Sequence, residues 1–376
     1  MQNNNRIRIS ILIYSLGGGG AERVVSVLLD KLSNKFDVLL VLMNETIKYD
    51  ISKDVKIYYL EKSNIEENGI LKLLKLPFLG WKYKNICKEY NIDVSLAFMN
   101  RPSYISVFAK LFGNYIKTII SERSTPSQIY CDNSLQSRIS KFLIRNLYPY
   151  SDKIIANSNG NKQDLIKNFN IKQNKIVTIY NPIDIENIIK KAQEEVNNVD
   201  FNKFTFISVG RLDDGKNHKL LIEAFKKINL PNAQLIILGD GPLMNNLQNL
   251  INNYKITDDV KLLGFDNNPY KYMSKADCFI FGSNYEGFPN VIAEALVCKL
   301  PIISTNCKSG PNEILNNGEY GILTKVGDIM NMADAMKKIF IDTNMRNKFK
   351  KSSLERAREF SLNKIVEDFK LNLVGD

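Results

Sequence analysis

"RISILIYSLGGGGAERVVSVLLDKL", Arg8 to Leu32, runs from a short apolar segment through four glycines into a stretch whose apolar residues recur at helical spacing. Ile7 to Tyr14 reads as a buried strand, and the residues after the glycines read as an amphipathic helix. The same order of strand, glycine-bearing turn and helix returns in "FTFISVGRLDDGKNHKLLIEAFKKI", Phe204 to Ile228. Around these two, the apolar runs "FDVLLVLM", "DVSLAF", "TIIS", "KIIANS", "AQLIILGD", "ADCFIFGS" and "PIISTN" alternate with helical patterns. Such alternation predicts an α/β chain with two doubly wound, Rossmann-like parallel sheets, each covered on both faces by helices. The polar segment "NPIDIENIIKKAQEEVNNVDFNKF", Asn181 to Phe204, separates the halves, and the boundary is expected at 185/186. In open sheets of this class ligands bind beyond the carboxyl ends of the strands, so the loops after strands are where function is sought.

A chain of 376 residues has room for two cores, and 44% hydrophobic with 24% charged residues describes a globular protein. No apolar run reaches the ~18 to 20 residues that cross a bilayer. The start, "RIRISILIYSLGGGG", imitates a signal peptide, but glycines stand where a small-residue cleavage site belongs. Five cysteines without a CxxC pair point to a reducing cytoplasm and no zinc. The net charge of +11 is uneven: residues 1–185 hold 26 Lys and Arg against 16 Asp and Glu, residues 186–376 hold 25 against 24. A half at +10 suits an anionic partner; the competing reading is a solvated basic face.

Four stretches carry candidate chemistry. "LGGGGAER", Leu16 to Arg23, follows a strand and opens a helix, so its backbone amides at Gly19 and Gly20 are placed to approach an anion. It is not a dinucleotide fingerprint, because Glu22 or Arg23 occupies the third glycine position. A tight turn without a ligand is the alternative. "GRLDDGKNH", Gly210 to His218, comes within one residue of a phosphate-binding P-loop. Asn217 in place of a Ser or Thr hydroxyl removes the magnesium ligand, which excludes a nucleoside triphosphatase. Arg211 and Lys216 remain as two cations suited to a diphosphate, or as a surface charge pair.

"EGFPNVIAEAL", Glu286 to Leu296, sets two carboxylates eight positions apart, Glu286 in a strand-to-helix loop and Glu294 about one turn into the helix. Pro289 fits a first helical turn, leaving the N–H groups of Phe288, Asn290 and Val291 without intrahelical acceptors. The plain alternative is a capped helix with one exposed and one structural Glu. Phe265, after Gly264, is a candidate to present its ring or backbone to a base; a core aromatic is the competing reading. The sole histidine, His218, reads as a loop residue, which speaks against a Ser-His-Asp hydrolase or histidine-zinc site. Finally, "NGILKLLKLPFLGWKYKNICKEY", Asn68 to Tyr90, interleaves apolar residues and the only Trp with Lys72, Lys75, Lys82, Lys84 and Lys88. The pattern fits a helix pair on an anionic membrane surface, and equally an amphipathic core helix.

In this order, "GGAER", "GRLDDGKN" and "EGFPNVIAE" resemble the retaining, sugar-nucleotide-dependent glycosyltransferases of family 4, and the likeness spans almost the whole chain. More narrowly, "IYSLGGGGAERVV", "LKLPFLGWKYK", "GRLDDGKNH" and "LLGFDNNPYKYM" resemble the N-acetylgalactosaminyltransferases of bacterial Pgl-type protein N-glycosylation. The resemblance implies a GT-B fold, two Rossmann-like domains facing across a cleft. Residues 1–185 would bind the acceptor and 186–354 the nucleotide sugar, with a C-terminal helix at about 355–376 packing back on the first domain. It implies transfer of GalNAc from UDP-GalNAc to an undecaprenyl-diphosphate-linked oligosaccharide, with no cofactor and no metal, at the cytoplasmic side of the inner membrane. Glu286 would take the sugar hydroxyls, aided by amides of Phe288, Asn290 and Val291, and Glu294 the ribose. Arg211, Lys216 and the helix end at Gly19 and Gly20 would neutralise the departing UDP in the transition state. Phe265 would join the donor site. Relatives carry a histidine after the strand "TIIS", where this chain reads "SERSTP"; Glu122 and Arg123 are then candidates for acceptor contact, together with Lys72, Lys75, Lys82 and Lys84. Two rivals remain at this level. One is a family 4 enzyme using another UDP-sugar in lipopolysaccharide or capsule synthesis. The other is a basic nucleic-acid-binding protein, for which no zinc-finger spacing or aromatic RNA signature is present, so nucleic acid is not expected as a partner.

Overall fold

The computed structural model describes residues 6–62 and 69–375. Asn68 and Asp376, which bound two of the stretches read above, lie outside them. The chain divides into two compact units: one ends at Pro182 and regains the chain from Asn363, the other is Ile183–Leu362.

The first unit is built on seven strands, β1 (Arg8–Ile13), β2 (Asp37–Leu42), β3 (Lys56–Tyr59), β4 (Val94–Phe98), β5 (Lys117–Glu122), β6 (Lys153–Ala156) and β7 (Ile176–Thr178). They lie in the order β3-β2-β1-β4-β5-β6-β7, all neighbours parallel. β1 is central: Ile9 sits beside Val38 on one side and Val94 on the other. Strands covered on both faces cannot alternate polar with apolar, which is why β1, β2 and β4 are near-continuous apolar runs. Helix Leu76–Glu89 packs on helix Asn100–Leu111. Its Tyr83 reaches the sheet, where the buried hydroxyl donates to Ser10 (2.9 Å) and lies 2.8 Å from Ser95 Oγ. The last helix, Leu362–Val374, also belongs here: Phe369 stacks on Phe98 with ring centroids 6.3 Å apart, and Lys153 donates to Asn372 at 3.1 Å.

The second unit holds β8 (Phe204–Val209), β9 (Ala233–Leu238), β10 (Val260–Gly264), β11 (Cys278–Phe281), β12 (Ile302–Thr305) and β13 (Ile322–Thr324), ordered β10-β9-β8-β11-β12-β13 and again parallel. In each sheet the first strand lies between the halves, so the chain order reverses at β1/β4 and at β8/β11. Loops leaving two neighbouring strands at such a switch point diverge to opposite faces and leave a crevice between them. The loop after β8 is held close to the sheet by a glycine with no substitute. Gly239 has φ +145°, and a Cβ there would lie 1.9 Å from the carbonyl oxygen of Gly210.

Candidate active site

The two loops at the β8/β11 switch point are tied to each other. The Asn284 N–H donates to Gly215 O (2.8 Å), its side-chain amide to Asp214 O (2.8 Å), and Asn217 Nδ2 to Asn284 Oδ1 (3.2 Å). This clasp brings together Lys216 and Glu286, 70 positions apart in sequence. Lys216 Nζ donates to Glu286 Oε1, and Ser283 Oγ donates to the same oxygen at 2.7 Å. The Glu286 side chain is 10% exposed, and the ammonium of Lys216 lies 5.4 Å from the centre of the Phe281 ring. A paired cation on an aromatic face is oriented there yet reachable from solvent, since Lys216 is only partly covered.

Arg211, expected beside Lys216, points outward: its side chain is 72% exposed and its Nε lies 3.7 Å from Asp213 Oδ2. Asp213 in turn caps the Lys216 N–H at 3.0 Å. Glu294 is buried within helix Asn290–Val297, where Phe288 just before the helix is buried too and packs edge-on against Phe360. Pro289 differs from expectation. With ψ at 91° it stands at the N-cap, outside the first turn, and its carbonyl accepts from Ile292 N–H at 3.0 Å. Asn290 and Val291 are therefore the first two helical residues. Phe265 is 77% exposed, following Gly264 at φ +75°, so its ring is not core.

His218 is not in a loop but opens helix His218–Ile228, and it is buried. Burial, with the nearby Lys216 charge second, pushes its imidazole down to about 4, and Nδ1 is buried without a hydrogen-bond partner. It is neutral at physiological pH. Among the described residues no group of three or more His, Cys, Asp or Glu side chains is gathered as a metal ion would need.

In the first unit Gly19 is the N-cap of helix Gly20–Leu32, as the glycine turn predicts. The Gly19 amide donates to Glu22 Oε2 at 2.6 Å, while Ser15 Oγ donates to Glu22 Oε1 at 2.5 Å. Glu22 is the capping acid at the third helical position, signalled in sequence by a Glu three residues after the capping glycine. It already supplies negative charge at the helix end, where an outside anion was expected.

Glu122, expected at an acceptor contact, is turned inward. It is 1% exposed, and its oxygens accept from five donors: Asn100 Nδ2 (2.9 Å), Tyr148 Oη (2.7 Å), Ser124 Oγ (2.7 Å) and the amides of Arg123 (3.0 Å) and Ser124 (3.2 Å). A carboxylate so placed knits the loop after β5 to the start of helix Asn100–Leu111. Burial raises its carboxyl above the usual range, against the pull of these hydrogen bonds. Arg123 is half-buried, with its guanidinium 5.4 Å from the Phe98 ring centre and donating to Asn181 Oδ1 (2.8 Å) and Ser121 Oγ (3.3 Å); burial lowers it to about 9. Among the lysines, Lys82 and Lys84 direct their ammonium groups to the carbonyls of Leu60 (2.5 Å) and Phe112 (2.7 Å), while Lys75 is exposed and Lys72 half-buried.

The stretch around them forms the helices Gly69–Leu74 and Leu76–Glu89, with one apolar face buried and another exposed. Leu76, Leu79, Tyr83 and Ile86 are core, while Leu71, Leu74, Phe78 and Trp81 are exposed, with Phe78 and Trp81 stacked at 6.2 Å.

Comparison with known proteins gives three kinds of match. Residues 18–187 match the family described as Glycosyltransferase Family 4, and residues 189–356 that described as Glycosyl transferases group 1. Among curated proteins, the N-acetylgalactosamine-N,N'-diacetylbacillosaminyl-diphospho-undecaprenol 4-alpha-N-acetylgalactosaminyltransferase of Campylobacter jejuni is 46% identical, over 98% of this chain and 100% of its own. A glycosyltransferase of Methanocaldococcus jannaschii is 32% identical over 88% of this chain and 90% of its own. Among solved structures, Anabaena HepE in complex with UDP superposes with a TM-score of 0.80 at 19% identity, covering 98% of this chain and 99% of that one. The two-sheet architecture is that of GT-B glycosyltransferases.

Proposed function

The chain belongs to the family 4 glycosyltransferases, and we propose that it moves N-acetylgalactosamine from UDP-GalNAc to an undecaprenyl-diphosphate-linked oligosaccharide ending in GalNAc-diacetylbacillosamine. The observation that carries this reading is end-to-end identity of 46% with a Campylobacter jejuni enzyme whose name specifies that acceptor and an alpha-GalNAc product. UDP-GalNAc is itself α-linked, so an alpha product implies retention of configuration. In a same-face displacement the bond from sugar C1 to the β-phosphate oxygen breaks as the bond to the acceptor oxygen forms. The acceptor's proton passes to the departing phosphate, so no side-chain base is required.

The residues of the β8/β11 crevice suit the donor. Lys216 and the outward Arg211 meet the diphosphate, whose charge grows as the sugar departs. Glu286 accepts from sugar hydroxyls, Glu294 from the ribose, and the amides of Phe288, Asn290 and Val291 assist at the helix mouth. The ring of Phe265 is available to the base. Side-chain cations in these places neutralise UDP without a divalent ion. The exposed Leu71, Leu74, Phe78 and Trp81, with Lys72 on the first of these helices and Lys75 at the junction between them, suit attachment to an anionic inner-membrane surface, where the lipid-linked acceptor resides.

Incubating the purified protein with UDP-GalNAc and the lipid-linked disaccharide, then weighing the products, is the direct test. One added N-acetylhexosamine is expected, with and without EDTA; activity abolished by EDTA would remove the metal-free account. Glu286→Ala and Lys216→Ala are each expected to lower turnover about ten- to a hundredfold, as loss of a charged hydrogen bond does, with the melting temperature little changed.

A further inference from the structure

We propose that donor binding is an exchange of partners, in which Lys216 passes from Glu286 to the diphosphate and Ser283 is the positioning residue that keeps Glu286 in place for the sugar. The inference rests on the donor reading above and adds a residue that no motif singles out. Lys216 Nζ and Ser283 Oγ donate to one and the same oxygen of Glu286, Oε1. The cation and carboxylate are thus each other's counter-ion, although the donor needs both of them for different groups.

Ser283 is built to remain when Lys216 leaves. It is fully buried two residues beyond β11, and its carbonyl accepts from Thr305 Oγ1 at 2.6 Å, which anchors it to the next strand. The Asn284 that follows is clasped to the loop of Lys216 through Gly215 and Asp214. Lys216 by contrast sits on a flexible four-carbon stem over the Phe281 ring, and its ammonium can swing toward a phosphate without breaking a backbone contact. Arrival of a diphosphate supplies a stronger, doubly charged partner for Lys216. Glu286 keeps its bond from Ser283, and the place of the Lys216 ammonium on Oε1 opens to a sugar hydroxyl. The order matters chemically, because Oε1 of the hydroxyl-binding carboxylate is relieved of its counter-ion once a diphosphate is bound.

Crystals of the protein with UDP are expected to show Lys216 Nζ on a phosphate oxygen and the Ser283–Glu286 hydrogen bond retained. A Lys216–Glu286 pair left intact beside a bound diphosphate would overturn the proposal. Ser283→Ala gives an independent reading: UDP affinity by calorimetry should stay within about twofold of wild type, while kcat/KM for UDP-GalNAc falls about tenfold, the loss expected for one hydrogen bond to a charged group. A parallel drop in UDP affinity and melting temperature would make Ser283 a merely structural residue and defeat its assignment. If the wild-type protein binds no UDP at all, it is the donor reading that fails.

Discussion

His218 shows how one buried side chain sets a pH dependence. Its imidazole is held neutral because burial and Lys216 disfavour the charged form, dropping the folded value from 6.5 to about 4. Between these values the unfolded chain binds the proton that the folded chain refuses, so stability rises with pH through this window and is lost as pH falls from 6.5 toward 4. Complete loss of the contribution corresponds to roughly 3 kcal/mol. His218→Gln should flatten that slope, read as the difference between the two proteins in chemical denaturation at pH 4.5 and 7; equal slopes would show that the imidazole is protonated in the fold. Glu122 acts in the opposite sense in the other unit, since its raised carboxyl favours the folded state at low pH and loses that advantage as pH rises. Glu122→Ala leaves Asn100, Tyr148 and Ser124 without their shared acceptor, and a loss of about 3 kcal/mol or more is expected from unsatisfied buried donors. A melting temperature within a degree or two of wild type would show that the carboxylate is not the hub of this loop.

At the level of elements, the strands that were legible are those buried on both faces, such as "SILI" in β1, "VSLAF" in β4 and "QLIIL" in β9, where composition alone marks a core strand. "KIYY" of β3, "IVT" of β7 and "ILT" of β13 were not, being three or four residues long, partly exposed and lying at sheet edges. The site divides in the same way. The motif loops could be read, but not the meeting of Lys216 with Glu286, because it depends on β8 lying beside β11 rather than on any local spacing. Nor did the sequence reveal that Glu122 is turned inward, since a charged residue ending an apolar strand reads as exposed until its five donors are seen. The loop of Lys216 depends on backbone fit. Gly239→Ala would force a Cβ against the Gly210 carbonyl at a φ that side chains avoid, so a stability loss above ~2 kcal/mol is expected, together with weaker UDP binding as the Arg211–Lys216 loop shifts. Unchanged denaturation and UDP titrations would show that this approach is not tight.

For the whole molecule the decisive property is the pairing of charge with exposed apolar surface on the first unit. Among the described residues no helix is long and apolar enough to cross a bilayer. Yet residues 1–185 hold ten of the eleven net positive charges, and Leu74 and Phe78 are 71% and 63% exposed on two helices beside Lys72 and the junction residue Lys75. Attraction to anionic headgroups would bring such a face to a membrane and apolar burial would hold it there; each lysine would add about 1 kcal/mol near the surface, and salt would weaken this part alone. Trp81 is the only tryptophan in the chain, is exposed, and stacks on Phe78, so its emission reports this face and no other. With phosphatidylglycerol vesicles its fluorescence should shift to the blue and become quenchable by brominated lipid, and with phosphatidylcholine vesicles much less. Replacing both Phe78 and Leu74 by Ala should weaken partitioning at least tenfold, because burying a Leu or Phe side chain is worth about 1.5 to 3 kcal/mol, and the residual binding should then fall steeply with salt. An emission spectrum unmoved by anionic vesicles would exclude this face as the membrane contact and leave the basic first half to be explained by the diphosphate substrates alone.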